Sequence, residues 1–242
     1  MSAAQPTAVI LAAGAGSRLG ELGRRYSKAM VPLADRPLIA HVIERLRAAG
    51  VGPLVVVRHA SDDALAEYLA DRDVAVAVQQ QRRGIADALA GALPRLGDAP
   101  AYLACACDSL FTPTDIAAVI AAGADGDAAI GVLAMDADAT TSRSAVVVAG
   151  GRVTAVIEKP PPGSAPSTLV GAPLYWLPRA IDPLLGETAR GAGGERYVTT
   201  ALAAHLAAGG TLRAVRLSGR VEITTAADLA AAERGLRAGR LG

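Results

Sequence analysis

Residues Thr7 to Leu38 read TAVILAAGAGSRLGELGRRYSKAMVPLADRPL, and the rest of the chain is read outward from them. The stretch opens on an apolar run, Ala8-Val9-Ile10-Leu11, rich in strand formers. A glycine-bearing turn follows, Ala13-Gly14-Ala15-Gly16-Ser17-Arg18. Glycine lets the backbone approach a ligand closely and aim several N–H groups at it, a concavity that attracts anions, phosphate above all. Arg18 and Lys28 add two fixed positive charges a short way along. Two common phosphate motifs are excluded. A P-loop needs Gly-Lys-Ser/Thr where this turn has Gly16-Ser17-Arg18, and Leu19 stands where a dinucleotide fingerprint needs its third glycine.

The 242 residues suit one large α/β domain. With hydrophobic residues at 52% and aromatics at 3%, the core must be built of Ala, Val, Leu and Ile. A formal net charge of +1 gives no basic excess to mark a nucleic-acid or membrane partner, and so few aromatics leave little for base stacking along a strand. Cys105 and Cys107 fall on one face of a strand at i, i+2, unsuited to a disulfide or a C-x-x-C metal pair. They read as small buried residues of a reducing cytoplasm. No signal peptide or membrane span is read.

Apolar runs at Leu54–Val57, Val74–Val78 and Ala101–Cys105 read as strands. Helices read between them over Pro37–Ala49, from Ser61-Asp62-Asp63 to about Ala70, and over Gly84–Leu96, with another starting at Thr112-Pro113-Thr114. This alternation predicts parallel pairing in a doubly wound α/β sheet of Rossmann-like type, whose ligand crevice lies outside the C-terminal strand ends. Beyond Gly126, runs at Ala128–Met135, Ala145–Ala149, Val153–Ile157, Val170–Leu177, Thr211–Leu217 and Val221–Thr224 read as strands, with Gly150-Gly151 as a tight hairpin turn. The segment 160–166 is a loop, 191–194 a mobile-looking glycine loop, and Ile181–Leu185, Tyr197–Ala208 and Ala226–Ala238 are helices. One domain over 1–242 is expected, in two halves of roughly 1–125 and 126–242, the second a small substrate-binding subdomain on the same sheet.

L-A-A-G-x-G-x-R-L, then Lys28 ten residues after Arg18, then M-V-P-L-x-x-x-P-L-I-x-H-V-I, resembles the sugar-phosphate nucleotidyltransferases, whose glycosyltransferase-A-like fold this chain is then expected to share. The resemblance continues to about residue 237. Gly84-Ile85-Ala86-Asp87-Ala88-Leu89 is similar to the family's base-binding turn, with Ile85 for its Thr. Gly151-Arg152-Val153 through Glu158-Lys159-Pro160 matches its Glu-Lys-Pro motif. Ala172-Pro173-Leu174-Tyr175, Glu195 to Thr200 and Glu222 to Leu229 resemble later motifs less closely, and Ser27, Cys107, Thr200 and Glu222 depart from the family pattern.

The resemblance implies a Mg²⁺-dependent enzyme that joins a nucleoside triphosphate to a sugar or polyol phosphate and releases pyrophosphate, with a homo-oligomer left open. Arg18, Lys28 and Asp108 are the expected catalytic residues. Leu11, Ala13, Gly14, Gly16, Ser17, Gln79, Gln81 and Gly84 are expected to bind the nucleotide, and Glu158, Lys159, Gly171 and Tyr175 the sugar phosphate. Asp108 and Glu222 together are expected to hold the metal, and two facing carboxylates should raise each other's pKa when it is absent. Cytidylyl transfer to a non-sugar phosphate such as phosphocholine, and a regulatory subunit that has lost turnover, stand as alternatives.

Overall fold

The computed structural model describes residues 5–136, 142–187, 190–191 and 194–239. Alternating apolar residues build a sheet with a core on each face. In β1 (Thr7–Leu11), Ala8 and Ile10 face one core and Val9 and Leu11 the other, the period of two that a buried strand imposes. β4 (Leu54–His59), β5 (Ala75–Gln79) and β6 (Ala101–Ala106) join β1 in parallel, in the order β5-β4-β1-β6. This half alternates strands with helices, as the pattern predicts. Two small pairings went unread: β2 (Pro32–Leu33) with β3 (Arg36–Pro37), and β7 (Ser109–Leu110), described below with its partner. A five-residue α1 (Glu21–Arg25) also lies within the opening stretch.

The second half extends the same sheet with mixed direction. β11 (Leu169–Pro178) runs antiparallel to β6, and β8 (Ala128–Ala134) antiparallel to β11. β12 (Leu212–Arg216) is parallel to β8, and β10 (Arg152–Glu158) and β9 (Ser144–Ala149) close the edge as a hairpin. Gly150 and Gly151 turn that hairpin with φ of 57° and 77°, the left-handed values a two-residue hairpin turn requires. Pro173 lacks an amide hydrogen for the ladder, and it sits where β11 slips register against β8, between Gly171 and Tyr175.

α2 (Leu38–Ala48), α3 (Asp63–Ala70), α5 (Pro113–Ala122) and α8 (Ala226–Arg237) pack on one face of the sheet. α4 (Ile85–Ala92), α6 (Asp182–Glu187) and α7 (Val198–Ala207) pack on the other. Asp62 and Thr112 accept backbone hydrogen bonds at the starts of α3 and α5, as their positions predicted. The expected loop at 191–194 lies partly outside the described residues. No helix among the described residues is long and apolar enough to cross a membrane.

Candidate active site

The glycine turn leaves the C-terminal end of β1, and β6 delivers Asp108 beside it. The amide of Cys107 donates to the Leu11 carbonyl at 3.1 Å, so the two strand ends leave the sheet together. Gly16 takes φ +68°, and a Cβ there would meet the Lys28 Cβ at 3.4 Å. The chain can therefore fold the 27–30 segment directly under the turn. Gly23 of α1 makes room in the same way, because a side chain there would strike the Gly16 carbonyl.

These close approaches produce a cavity of about 420 Å³. Leu11, Ala13, Gly14, Gly16, Ser17, Arg18, Lys28, Gln79, Gly84 and Asp108, all expected from the sequence, line it together. Lys28 is buried, and its ammonium pairs with Asp108 Oδ2. Arg82 was not singled out from the sequence. It reaches across the mouth, where its Nε donates to the Ala13 carbonyl at 2.9 Å and ties the loop after β5 to the glycine turn. The Arg82-Arg83 doublet after three glutamines was the only signal for it.

The turn expected to bind the base is sutured to a distant segment. Arg196 N donates to Arg83 O at 2.9 Å, and Ala86 N donates to Arg196 O at 3.1 Å. Gly84 takes φ +104°, and a Cβ there would collide with the Arg196 carbonyl. Gln79 is buried at the end of β5. Its amide nitrogen donates to Gly84 O at 3.3 Å and to Asp87 Oδ2 at 3.2 Å. Gln81 does not line the main cavity, which corrects the sequence expectation. Gln81 is exposed and lines a smaller adjoining cavity that shares Gln79 and Ala88 with the main one, because the chain turns out of the strand after Gln79.

Glu158, Lys159, Gly171 and Tyr175 do not line the main cavity, and of the four Lys159 is the one hydrogen-bonded to a residue that does, Tyr197. Lys159 leaves β10 with φ +45°, an uncommon backbone for a residue with a Cβ, and its amide is held by the Arg143 carbonyl at 3.0 Å. This bend turns the Lys159 ammonium away from the strand's alternation. It donates to Tyr197 Oη at 2.7 Å, and the Tyr197 hydroxyl donates to Glu195 at 3.2 Å. Glu195 and Tyr197 both line the cavity. The Tyr197 hydroxyl and the neighbouring carboxylates outweigh burial and hold the Lys159 pKa above its usual value, so it is cationic at neutral pH. Glu158 accepts from Thr199 Oγ1 at 2.5 Å. Burial, and then the Glu158 carboxylate, push the Tyr175 pKa up, so its hydroxyl stays protonated. Gly171 has a packing reason of its own: a Cβ there would crowd Ser144 Oγ and lie 3.0 Å from Ile130 Cδ1.

The expected metal pair is not formed. β13 (Val221–Glu222) pairs antiparallel with β7, and Glu222 lies opposite Ser109. Asp108 lies in the turn just before β7, outside this two-residue ribbon, and so does not share the register position of Glu222. Asp108 lines the main cavity, whereas Glu222 lines a separate groove with Arg220, Asp228 and Arg234. Glu222 accepts from Arg143 at 2.6 Å and pairs with Arg220. Burial raises the Glu222 pKa, but the two arginines more than reverse it and hold the carboxyl below its ordinary range, contrary to the expected rise.

The described residues contain no group of three or more His, Cys, Asp or Glu side chains that could hold a metal. The donor set therefore does not suit an all-protein cage. It does fit an ion of the Mg²⁺ type, which usually takes one or two carboxylates and completes its shell with substrate phosphates. Asp108 fits that role and Glu222 does not.

Residues 8–207 match the family model described as "MobA-like NTP transferase domain". The chain is 35% identical over 152 residues to the bifunctional protein GlmU of Ralstonia nicotianae, covering 62% of this chain and 32% of that protein. It is 27% identical over 210 residues to GlmU of Herminiimonas arsenicoxydans, covering 83% and 44%. The chain thus spans about a third to under half the length of these curated relatives. Among solved structures, a UDP-glucose pyrophosphorylase complexed with UDP-glucose superposes with a TM-score of 0.86 at 19% identity, over 98% of this chain and 100% of the other. A UDP-glucose pyrophosphorylase from Acinetobacter baumannii gives 0.84 at 24% identity, over 99% and 96%. At these identities the structures establish a shared Rossmann-like α/β fold.

Proposed function

We propose, from the premise that the chain belongs to the MobA-like NTP transferase domain family, that it joins a nucleoside triphosphate to a sugar or polyol phosphate and releases pyrophosphate. The observation that carries this reading is one cavity at the C-terminal strand ends. The glycine turn, Arg18 and Lys28 line it on the phosphate side, and Gln79 and Gly84 on the base side. A UDP-glucose pyrophosphorylase and a putative glucose-1-phosphate thymidylyltransferase are structural neighbours whose names carry this reaction class, which supports the reading.

In this reading a phosphate oxygen of the acceptor attacks the α-phosphorus. The bond to the β-phosphate oxygen breaks, and pyrophosphate carries away the displaced electron pair. No covalent enzyme intermediate is needed, so catalysis is alignment and charge stabilisation. The backbone N–H groups of the glycine turn and Arg18 hold the departing phosphates. Lys28 exchanges Asp108 for the α-phosphate. Lys159, tethered at the rim by Tyr197, takes the acceptor phosphate, and Glu158 takes acceptor hydroxyls beside Tyr175 and Gly171. Mg²⁺, when bound, supplies positive charge against the triphosphate, and Asp108 is the side chain that would hold it. Residues 1–125 serve the nucleotide and 126–242 the acceptor within one domain. The two cysteines are free and buried, which suits a reducing cytoplasm.

Pyrophosphate release, followed in a coupled assay with Mg²⁺, a panel of triphosphates and a panel of sugar 1-phosphates, tests the reading. Release that requires both substrates supports it. Its absence across the whole panel would remove it.

A further inference from the structure

Arg143 and Lys159 leave one backbone pairing and are tied to different partners. Ser144 stands opposite Glu158 in the β9–β10 hairpin, and one step further the Lys159 amide donates to the Arg143 carbonyl at 3.0 Å. The Lys159 ammonium is held by Tyr197, which lines the main cavity. The Arg143 guanidinium is held by Glu222 Oε2 at 2.6 Å. Two cations on separate tethers make two anion points, and the reaction described above uses Lys159 alone.

Arg220 makes the second point positive. Its guanidinium pairs with the same Glu222 oxygen, so one carboxylate faces two guanidiniums and a positive charge is left over. Among the described residues, Glu222 Oε2 is the one atom to which either guanidinium donates. An arginine carries five N–H donors in a fixed fork, so most of this capacity is unspent. A pin between β9 and β13 needs one arginine for one carboxylate, and a second buried charge adds a desolvation cost that no second carboxylate offsets. The Arg220 side chain is 7% exposed and that of Arg143 25%, so Arg143 is the one a ligand can reach.

The cluster borders the residues assigned to the acceptor. Arg143 backs Lys159, and its neighbour Ser144 lies against Gly171, where a Cβ would crowd the Ser144 hydroxyl. Burial and then Glu158 push the Tyr175 pKa up, and the Arg220 charge pulls against them, so Arg220 is within electrostatic reach of Tyr175.

We propose that Arg143 is a specificity-determining residue that reads a second acidic group on the acceptor, a carboxylate or a further phosphate, and that Arg220 leaves it able to do so by balancing Glu222. The acceptor is then an acidic sugar phosphate. The inference rests on the nucleotidyl-transfer reading of the site and narrows its acceptor.

The test is initial-rate kinetics on the full chain with Mg²⁺, a panel of triphosphates and several hexose 1-phosphates, each paired with acidified derivatives: the uronic acid, the bisphosphate and a carboxyalkyl ether. For the wild type, at least one acidified acceptor should exceed its neutral parent by about tenfold or more in kcat/KM, the scale of a hydrogen bond to a charged group. The derivative preferred says whether the acid is a carboxylate or a phosphate. In Arg143→Gln the ratio should fall to within about threefold, and Arg143→Lys should restore part of it. If Arg143 merely pins two strands or serves the phosphate already held by Lys159, both members of each pair lose alike and the ratio holds, which overturns the proposal. So does a wild type that favours no acidified acceptor over its parent, a result in hand even if the variants fail to fold. Calorimetric binding of the same pairs separates the two readings. Turnover without acid preference defeats the acceptor selectivity alone. Acid-selective binding that is lost in Arg143→Gln, with no turnover against any triphosphate, defeats the transfer reaction alone. Neither binding nor turnover defeats both.

Discussion

Glu222 stands opposite Ser109, Asp108 lies in the turn just before that pairing, and the two acidic side chains line different cavities. Asp108 faces Lys28 in the main cavity, and Glu222 faces Arg143 and Arg220 outside it. The carboxylates thus have separate work. Asp108→Asn should abolish metal-dependent pyrophosphate release, whereas Glu222→Gln should retain it within about tenfold, since it removes a fold contact and no cavity group. A Glu222→Gln variant as inactive as Asp108→Asn would restore the two-carboxylate metal site.

Glu222 should instead matter to stability. Its folded pKa is depressed below the ordinary 4.5, so its contribution is fully present above that pH and is lost as pH falls through the folded pKa. Glu222→Gln leaves Arg220, whose side chain is 7% exposed, without its carboxylate. At neutral pH its Tm should fall by roughly 3–8 °C, as expected for a loss of ~1–2 kcal/mol. Thermal melts between pH 3 and 7 should show the gap between wild type and variant closing at the acid end. A gap that widens in acid would contradict the assignment.

Lys28 is the side chain proposed to meet the α-phosphate. Lys28→Ala should lower kcat by about 10²–10³ and weaken triphosphate binding much less, the signature of a contact made chiefly in the transition state. It also leaves Asp108 without its ion-pair partner, so a metal titration belongs with the kinetics. Wild-type turnover in this variant would end the mechanistic assignment.

Arg82 presents an anchored guanidinium at the cavity mouth. Its Nε is committed to Ala13, and its remaining N–H groups, without a hydrogen-bond partner among the described residues, can meet phosphate oxygens. Arg82→Gln should raise the KM for the triphosphate by roughly tenfold or more. The KM for the acceptor phosphate should hold. Equal effects on both substrates, read from initial rates, would make Arg82 a strut for the loop and nothing more.

Tyr197 tethers the Lys159 ammonium at 2.7 Å. Removing its hydroxyl in Tyr197→Phe takes away the main cause of the raised Lys159 pKa. The acceptor KM should rise by about threefold to tenfold, the scale of one lost hydrogen bond, with the triphosphate KM unchanged. An unchanged acceptor KM would detach Lys159 from the acceptor subsite.

Much of this was legible in the sequence for a physical reason. The strand of Ala8 to Leu11, its glycine turn and the crossovers that follow are specified by local pattern, so the parallel half of the sheet and the gathering of Gly14, Arg18, Lys28, Gln79 and Asp108 could be read in advance. The misread features depend on single-residue register or on distant contacts. Three consecutive glutamines carry no sign of which one the strand ends on, so Gln79 and Gln81 looked equivalent. A two-residue strand such as Val221–Glu222 has no periodicity from which to read a facing side chain. The positive φ of Lys159 has no glycine to announce it and is held by the Arg143 carbonyl. Arg82 was missed because its anchor, the Ala13 carbonyl, lies 69 residues away.

The central claim is that this cavity transfers a nucleotidyl group to an acceptor phosphate, and the direct measurement is the fate of the α-phosphorus. The chain would be incubated with Mg²⁺, α-³²P-labelled triphosphates and a panel of sugar 1-phosphates, and the products separated by chromatography. The account predicts label in a new nucleotide-linked product, formed one for one with pyrophosphate only when both substrates are present, and lost in Lys28→Ala. Label that remains in the triphosphate across the whole panel, or that appears as free nucleoside monophosphate or diphosphate whether or not acceptor is added, would contradict it.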